Sequence, residues 1–384
     1  MAVEIELVNT KKQLKQFVKV PFEIYKGNKL WVPPLIRDEM NMFNPRRNPS
    51  YENAQTKLFI AYKNGKAVGR IAGILSVAAN QKYQTKNLRF GWFDTITDYE
   101  VAHSLFAALE QWAVLLGMET ITGPHGFSDL DPQGMLVEGF DYLPTIAVIY
   151  NFPYYPEFTE QYGFKKDVDY VEFRSLVPAE SGIPPRLQQM GPQIRERTHV
   201  TIIKFKNRLH LMERAHEIFQ LLQETFAQIY GSIPLTQKQM EFYIKKYIAF
   251  ADKDLIQLAV DENDVPVGFM ITMPSLSVGY QKARGHLFPF GLYHIFRARR
   301  NYKVLDFYLA GVKEKYRGHG VDILMALEIV DAAIKKGVQQ TESNPELETN
   351  KKIQAQWKYF NPTQHKRRRI FIKQVNKAGG LTPT

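Results

Sequence analysis

The sequence of 384 residues contains no cysteine. This absence excludes disulfide bonds, thiolate nucleophiles, and zinc or iron–sulfur sites held by cysteine. The chain also lacks any apolar run of the ~18 residues that a membrane-spanning helix needs. Its first residues, MAVEIELVNTKKQLKQF, lack the apolar core of a signal peptide. We therefore expect a cytoplasmic protein whose chemistry uses oxygen and nitrogen groups or a bound cosubstrate, with no metal.

Positive charge is in excess, with 50 Lys and Arg against 39 Asp and Glu and a formal net charge of +11. Such a balance favours anionic partners: nucleic acid, phosphorylated cosubstrates or an acidic membrane surface. The only dense run, HKRRR at 365–369, leads into a predicted strand, and we interpret it as the charged rim of a sheet. Because no recognition module accompanies the charge, we expect no specific nucleic-acid partner.

Two stretches of the chain, 58–76 and 256–273, share one pattern. Each has an apolar run, a turn with Asn and a second alternating run, in which Gly69 or Gly268 follows a valine. Both stretches predict β-hairpins. In each half a further strand, a long helix and another strand follow. The order strand, strand, strand, helix, strand occurs twice, which predicts an internal duplication of one α/β unit.

The length also favours two domains. The stretch 174–200 between the repeats is rich in Pro, Gly and charge, which is typical of a linker. We therefore predict a first domain at 1–180, a linker at 181–200, a second domain at 201–376 and a flexible tail at 377–384.

The second repeat passes from its third strand to its helix through a loop with two glycines, Gly318 and Gly320. Such a passage directs successive backbone N–H groups at one spot, at the positive end of the helix dipole. Lys315 and Arg317 add positive charge. The spacing matches neither GxxxxGK[ST] nor GxGxxG. The residues alone leave two interpretations open, a plain turn or a phosphate-binding loop.

The whole passage, LAGVKEKYRGHGVDILM (309–325), resembles the pyrophosphate-binding motif of the GCN5-related N-acetyltransferase (GNAT) superfamily. In that motif Gln/Arg-x-x-Gly-x-Gly/Ala ends the fourth strand. Gly318 and Gly320 match its two small positions, and Lys315 stands where Gln or Arg is usual. The hairpin at 256–273 is similar to the second and third strands of the superfamily.

Two further likenesses extend this resemblance. The segment ETNKKIQAQWKYF (348–360) resembles the last conserved helix of the superfamily, with Asn350 at its conserved asparagine. The layout of most of the chain resembles uncharacterised bacterial proteins with tandem acyltransferase-like domains. The resemblance implies an α/β protein of two tandem GNAT-like domains, each a mixed central sheet flanked by helices.

The resemblance implies transfer of an acyl group from acetyl-CoA or a longer acyl-CoA to an amine of a small molecule or peptide. The strand backbone would bind the pantetheine arm, and the loop N–H groups would bind the pyrophosphate. The residues that it assigns to the donor are Leu309, Ala310, Gly311, Val312, Lys315, Arg317, Gly318, His319, Gly320, Val321 and Asn350.

The attacking amine must lose a proton, so a carboxylate base is expected. Glu342 on the following strand is the first candidate, and Asp306 is the second. The superfamily often has a general-acid tyrosine seven residues after its asparagine, but Trp357 stands there and Tyr359 lies nearby. This departure, together with Lys315, favours a rival hypothesis, in which the fold is retained without catalysis for ligand sensing or assembly.

The first repeat resembles the superfamily more faintly. FTEQYGFKKDVDYVEFRS (158–175) is like its closing helix, turn and strand. The helix start at 94–104, DTITDYEVAHS, has no glycine and carries acidic side chains, which would repel a pyrophosphate. We therefore expect the first domain to keep the fold without a cofactor site.

A long glycine-rich loop spans 123–144. It resembles a calcium-binding loop, but Phe140 stands where the closing Glu is required. Two interpretations remain open. The loop lines an acceptor pocket through His125, Asp129 and Asp141, or it is purely structural.

The aromatic segment 287–296 precedes the basic run RARR at 297–300. This combination is typical of contact with an anionic membrane or of a cover for a long acyl chain, with core packing as the alternative. Relatives of the fold also suggest an acyl carrier protein or a charged tRNA as the donor, since the phosphates of either would suit the positive charge.

Overall fold

The structure is a computed structural model that describes residues 2–178, 183, 185–248, 251–351, 354, 357 and 360–375. The backbone falls into two compact units. The first comprises the chain up to Val171, the segment Tyr280–Leu292 and the chain from Lys366 onward. The second comprises Glu172–Gly279 and Tyr293–His365.

The elements follow in chain order. In residues 2–178 they are β1 (Glu4–Leu7), α1 (Lys11–Ile24), α2 (Ile36–Met42), β2 (Ala54–Lys63), β3 (Lys66–Ser76), α3 (Val77–Tyr83), β4 (Asn87–Thr95), α4 (Tyr99–Leu115), β5 (Thr120–Gly123), β6 (Met135–Glu138), α5 (Tyr154–Gln161) and β7 (Lys165–Leu176). The remaining elements are α6 (Pro185–Thr198), β8 (Thr201–Ile202), α7 (Arg208–Glu213), α8 (Ala215–Phe226), α9 (Gln237–Ile248), β9 (Ile256–Val260), β10 (Pro266–Pro274), α10 (Ser277–Ala283), α11 (Gly291–Arg300), β11 (Val304–Val312), α12 (Val321–Lys335), β12 (Gln340–Ser343), β13 (Glu346–Leu347) and β14 (Thr363–Gln374).

The first unit contains a mixed sheet in the order β1-β2-β3-β4-β5-β14. Its neighbours are antiparallel except for the parallel pair β4 and β5. Successive side chains of β2 enter two cores: Phe59 packs with α4, and Leu58 and Ile60 pack with α1. Both faces of the strand are therefore covered, which explains its unbroken apolar run.

The second unit repeats this plan in the order β7-β12-β11-β10-β9-β8, with β11 and β12 parallel. The inner side of α12 places Val321, Leu324 and Ile329 in one core with Leu305 of β11. Helix α8 packs on β10 and β11 as a second layer. Among the described residues, none of the helices has the length and apolarity needed to cross a membrane.

The predicted duplication is present as β2, β3, β4, α4, β5 and again as β9, β10, β11, α12, β12. The predicted fold class, mixed sheets flanked by helices, is confirmed. The second copy carries α10 and α11 between β10 and β11, where the first copy has only α3.

The units differ in two ways from the contiguous halves that the sequence predicts. Strand β14 pairs with β5, from Phe371 opposite Gly123 to Gln374 opposite Thr120, and this ladder places the end of the chain in the first unit. The segment around α10 also belongs there, since the Ile36 N–H donates to the carbonyl of Gly285. The predicted tail, 377–384, lies outside the described residues.

The predicted linker, 181–200, contains α6. Leu187, Gly191 and Ile194 of this helix are buried at helical spacing and face α12. Proline and charge concealed this apolar stripe in the sequence.

The basic run 365–369 does not form a rim. It lies within β14, where Lys366 and Arg368 are buried and where Arg367 and Arg369 pair with Asp169. The densest positive charge of the sequence is therefore used inside the fold.

Candidate functional site

The loop between β11 and α12 has the backbone of a narrow turn. A 3-10 turn at Glu314–Tyr316 leads to Gly318 and Gly320, whose φ angles of +78° and +89° lie in the left-handed region that favours glycine. A Cβ atom added at Gly318 would meet no heavy atom within 4 Å. The loop therefore presents its backbone to open space at Gly318, whereas Gly320, directly before α12, is buried against the side chain of Ile194.

The backbone N–H groups of this loop divide into two sets. Those of Arg317 and His319 donate to carbonyls within the turn, at 3.1 and 3.3 Å. Those of Gly318, Gly320 and Val321 have no acceptor among the residues that the structure describes. They lie at the positive end of the α12 dipole, so an anion would be stabilised there.

Three basic side chains surround these N–H groups. Arg317 donates through Nε to the carbonyl of Val312 at 2.9 Å, and Arg197 of α6 donates through Nη2 to the carbonyl of His319 at 2.6 Å. Lys315 lies over its neighbouring tyrosine ring. Within the described ranges, none of the three pairs with a carboxylate. Their charge is therefore available to an anionic ligand.

Asp322 places a carboxyl group in the same first turn of α12. Burial raises its pKa, whereas the backbone N–H groups of Ile323 and of Asp322 itself lower it. A bound anion would share this turn with the carboxyl group, which opposes its negative charge.

Strands β11 and β12 part just before the loop. Their parallel ladder ends at Phe307 opposite Ser343, whereas β11 continues to Val312. The register of β11 against β10 slips by one residue at Tyr308, which forms a β-bulge. Asn344 fixes the point of separation, since its N–H donates to the carbonyl of Phe307 at 2.9 Å and its Nδ2 to that of Tyr308 at 3.2 Å.

Beyond this point no strand of the described residues pairs with one edge of β11. Lys313 donates its N–H to the carbonyl of Val267 on β10, so the preceding pair, Val312 and Gly268, is a non-hydrogen-bonded pair. The N–H and C=O of Val312, and by alternation those of Ala310, therefore point away from β10. An extended ligand could pair with this edge and reach the glycine loop at its end.

A carboxyl group and an indole meet beside the separated strands. Trp357 donates through Nε1 to Oε1 of Glu346 at 2.6 Å, and its ring lies edge-on to Phe307 with centroids 5.2 Å apart. The other oxygen, Oε2, is buried and has no hydrogen-bond partner within the described part of the chain. Burial raises the pKa of Glu346 to about 7, although the indole hydrogen bond lowers it.

Glu346 and Arg197 were missed in the sequence analysis. Arg197 falls in the predicted linker, and no local pattern connects it with the loop. Glu346 could have been noticed as an acidic residue that follows an Asn-Pro turn after the strand of Glu342.

Both predicted bases lie inside the sheet. Glu342 and Asp306 are buried and face each other across β12 and β11. Arg174 donates from Nε and Nη2 to one oxygen of Glu342 at 3.1 Å, and Nε2 of His365 lies 3.2 Å from the other. One oxygen of Glu342 is therefore paired with Arg174, and a role for Glu342 or Asp306 as the base stays a prediction.

This cluster also has the spacing of a metal site. One ligand atom each of Glu172, Glu342 and His365 lies within 4.8 Å of the others. Arg174, however, already supplies a positive charge to Glu342 there. The arrangement is therefore best explained as a buried charge network of the protein.

The remaining predicted residues lie in the helix–sheet packing, in a turn, next to the bulge or outside the described residues. Gly311 allows close packing, because a Cβ atom there would come within 2.4 Å of Oγ1 of Thr225 on α8. Asn350 donates its N–H to the carbonyl of Leu347 in a turn. Leu309 comes directly after Tyr308, the bulged residue of β11. Tyr359 lies outside the described residues.

The first unit has the same strand edge, at Thr95, which lies opposite Gly69. This position corresponds to Val312 in the second unit. Here the edge is filled, since the Thr95 N–H donates to the hydroxyl of Tyr155 at 3.0 Å and the hydroxyl of Tyr154 donates to the Thr95 carbonyl at 2.9 Å. An extended ligand would have to displace both tyrosines.

The helix that follows this edge begins with a carboxylate. Asp98 caps α4 by accepting the N–H of Glu100, and Lys63 pairs with it at 2.7 Å. The hydrogen bond from Lys63 lowers the pKa of Asp98. The N-terminus of α4 is therefore occupied by a negative side chain of the protein itself.

The loop at 123–144 is organised by its own contacts. Asp131 accepts the N–H groups of Phe127 and Ser128 at 3.0 and 3.3 Å. Burial lowers the pKa of His125 well below its usual value and raises that of Asp129 to about 6, whereas Asp141 is exposed. These contacts agree with the structural interpretation, and an acceptor role for the three residues stays a prediction.

The architecture identifies the fold. The structure superposes on a tandem GNAT protein from the clavulanic acid biosynthesis pathway with a TM-score of 0.58 and 12% identity, covering 98% of this chain and 100% of that one. The fold is therefore that of the GNAT acetyltransferases in a tandem arrangement, as the sequence predicts. This is a fold used for acyl transfer.

Two individual proteins are similar to the chain along nearly their whole lengths. Protein YghO of Escherichia coli K12 is 24% identical over 371 residues, which cover 95% of this chain and 94% of the relative. The bacterial ceramide synthase of Caulobacter vibrioides is 24% identical over 375 residues, which cover 96% of each chain. No family model matches the sequence.

Proposed function

We propose that this protein is an N-acyltransferase that moves a long acyl group from an acyl-CoA to the amine of a long-chain amino alcohol. The observation that carries the proposal is the uncovered edge of β11, which leads directly to the exposed glycine loop before α12. The donor site belongs to the second unit, since tyrosines fill the same edge in the first. The cytoplasm is kept as the predicted compartment.

The donor would lie along β11 as an extra strand. The pantetheine amides would pair with the backbone of Ala310 and Val312, as one strand pairs with another. The diphosphate would accept the N–H groups of Gly318, Gly320 and Val321, with Arg197 and Lys315 beside it among the nearby cations. The residues fit a diphosphate ligand because the space at Gly318 is open.

The thioester would then lie near the bulge at Tyr308, beside Glu346. The amine nitrogen attacks the thioester carbon, the C–S bond breaks, and an amide and a CoA thiol are formed. Glu346 takes the proton from the amine and passes a proton to the leaving sulfur, so that it ends as it began. A carboxyl group with a pKa of about 7 suits this role, because it is ionised and still a useful base near neutral pH.

The choice of acceptor rests on the relative named bacterial ceramide synthase. A ceramide is the amide of a fatty acid with a long-chain amino alcohol. The surroundings of Glu346 support an apolar acceptor or donor chain, because Trp357 packs between the rings of Phe173 and Phe307. The similarity covers both units, so the whole chain would take part.

The test uses the purified full chain with palmitoyl-CoA or acetyl-CoA and a panel of amines that includes sphinganine, amino acids and a peptide. Free thiol and the amide product are measured. We expect amide formation from palmitoyl-CoA and sphinganine, and loss of this activity in Glu346→Gln but not in Glu262→Gln, a change at an exposed turn. Acylation of the peptide alone would refute the acceptor, and activity only with an acyl carrier protein would refute the donor. Binding of acyl-CoA by calorimetry without thiol release from any amine would favour the sensing hypothesis.

A further inference from the structure

Helix α11 exposes large apolar side chains. Tyr293 is 59% exposed and Phe296 is 46% exposed, at a spacing of three residues that places them on one side of the helix. Just before the helix along the chain, Phe288 and Phe290 are 74% and 69% exposed. Exposed aromatic residues on one side of a helix, such as Tyr293 and Phe296, mark an interaction surface.

Three arginines follow these residues in the last turn of the helix. Arg297 donates to the hydroxyl of Tyr293 at 3.4 Å, and Arg299 donates to the carbonyl of Ala251 at 3.2 Å. In the described ranges no carboxylate pairs with Arg297, Arg299 or Arg300. The apolar surface therefore adjoins positive charge that the protein does not neutralise.

A cavity of about 470 Å³ opens at this end of α11. Its walls are Asp252, Phe296, Arg299, Arg300, Tyr302 and Lys336. The hydroxyl of Tyr302 is buried and has no hydrogen-bond partner within the described residues. Lys336 is neutralised by Asp252 at 3.0 Å, whereas the two arginines are not neutralised. The cavity thus offers two cations and a hydroxyl group to an anionic oxygen.

This cavity is separate from the proposed donor site. Lys336 directly follows α12, whereas Gly320 directly precedes it. The 15 residues of the helix place its ends about 22 Å apart. The cavity therefore cannot serve the same diphosphate as the glycine loop.

We infer that α11 docks on an anionic phospholipid surface, with Tyr293 and Phe296 at the headgroup level and a lipid phosphate held by Arg299, Arg300 and Tyr302. Aromatic and basic side chains on one short helix are the combination that binds at such an interface. A soluble phosphate would explain the cavity but not the exposed rings beside it. The inference stands independently of the acyl-transfer proposal.

The test is sedimentation of the full chain with vesicles of phosphatidylcholine, with and without phosphatidylglycerol. We expect binding to the anionic vesicles only. Exchanging both Arg299 and Arg300 for Gln should weaken it at least about tenfold, and Phe296→Ser should weaken it by a similar factor. The matched control exchanges Lys206 and Arg208, two exposed basic residues outside the cavity, for Gln and should retain binding.

Thermal unfolding, measured on each variant, shows whether it remains folded. Equal binding to neutral vesicles, or equal loss of binding in the control, would overturn the inference. Saturation of the cavity by glycerol 3-phosphate alone, with no binding to anionic vesicles, would also overturn it, because the source of the phosphate would then be soluble.

Discussion

The two units differ in how the backbone is hydrogen-bonded at the same strand edge. In the first unit the backbone of Thr95 is hydrogen-bonded on both sides by Tyr154 and Tyr155. In the second unit no described strand or tyrosine pairs with the equivalent edge at Val312, and among the described residues its carbonyl accepts only the Nε of Arg317. Since the backbones follow the same plan, the difference lies in the side chains packed against this edge.

The N-termini of α4 and α12 also differ in whether a side chain satisfies their backbone N–H groups. Asp98 satisfies the N-terminus of α4 with a carboxylate, whereas α12 begins after Gly320, which has no side chain to offer. In one unit the start of the helix carries a negative side chain, and in the other the start carries N–H groups with basic side chains nearby. The difference teaches that one repeated backbone plan can present different chemistry at the same position.

The largest effect is expected from Gly318→Glu. This change places bulk and negative charge where the structure leaves open space, so acyl-CoA affinity measured by calorimetry should fall at least about 100-fold. Gly65→Glu is the matched control, because Gly65 also has a positive φ of +72° and open space but lies in the β2–β3 turn. Undiminished acyl-CoA affinity in Gly318→Glu would show that the loop before α12 does not bind the acyl-CoA.

Glu346→Gln should lower kcat/KM about 100-fold and remove its rise with pH below about 7.

Glu346→Gln should also change how the free energy of unfolding depends on pH. Because the pKa of Glu346 is raised to about 7, the native chain binds a proton more tightly than the unfolded chain, and its stability falls by about 3 kcal/mol as the pH rises from about 4.5 to about 7. Urea unfolding at about pH 5 and about pH 8 measures this loss, which Glu346→Gln should lack. An identical pH dependence of kcat/KM in the two proteins would exclude Glu346 as the base.

Arg197→Gln should weaken acyl-CoA binding about fivefold, because one cation beside the loop is lost. Arg195→Gln, two residues earlier on α6, is the control, since Arg195 pairs with Glu328 instead. The titration is repeated at increasing salt, and the difference between the two variants should shrink as the charges are screened. Equal losses in both would point to a disturbance of the helix.

The smallest effect is expected from Asp98→Ala in the first unit. Loss of the cap should reduce the free energy of unfolding by about 1 kcal/mol, measured by denaturant unfolding. Acyl-CoA affinity should stay unchanged, because the proposed donor site lies in the second unit. A change in affinity would contradict the assignment of the donor to the second unit alone.

Local patterns were enough to predict the hairpins, the repeated order of elements and the glycine loop, because turn residues and apolar alternation act over a few neighbours. The tyrosines at 154 and 155 could not be connected with Thr95, since only tertiary packing brings them there. Pro192 obscured the helix that carries Arg197, and Arg367 and Arg369 of β14 pair with Asp169, a partner about 200 residues away. Pairs that are distant along the chain leave no periodic signal in the sequence.

The ladder between β5 and β14 has a consequence for how the chain matures. The first unit lacks one strand of its sheet until nearly all of the described sequence has been synthesised, so β5 waits as an unpaired edge throughout the synthesis of the second unit. Contacts so distant along the chain close slowly. A chain shortened before β14 would therefore retain the glycine loop yet expose the unpaired edge of β5, and would be more prone to aggregate than a full-length chain with a substitution in that loop.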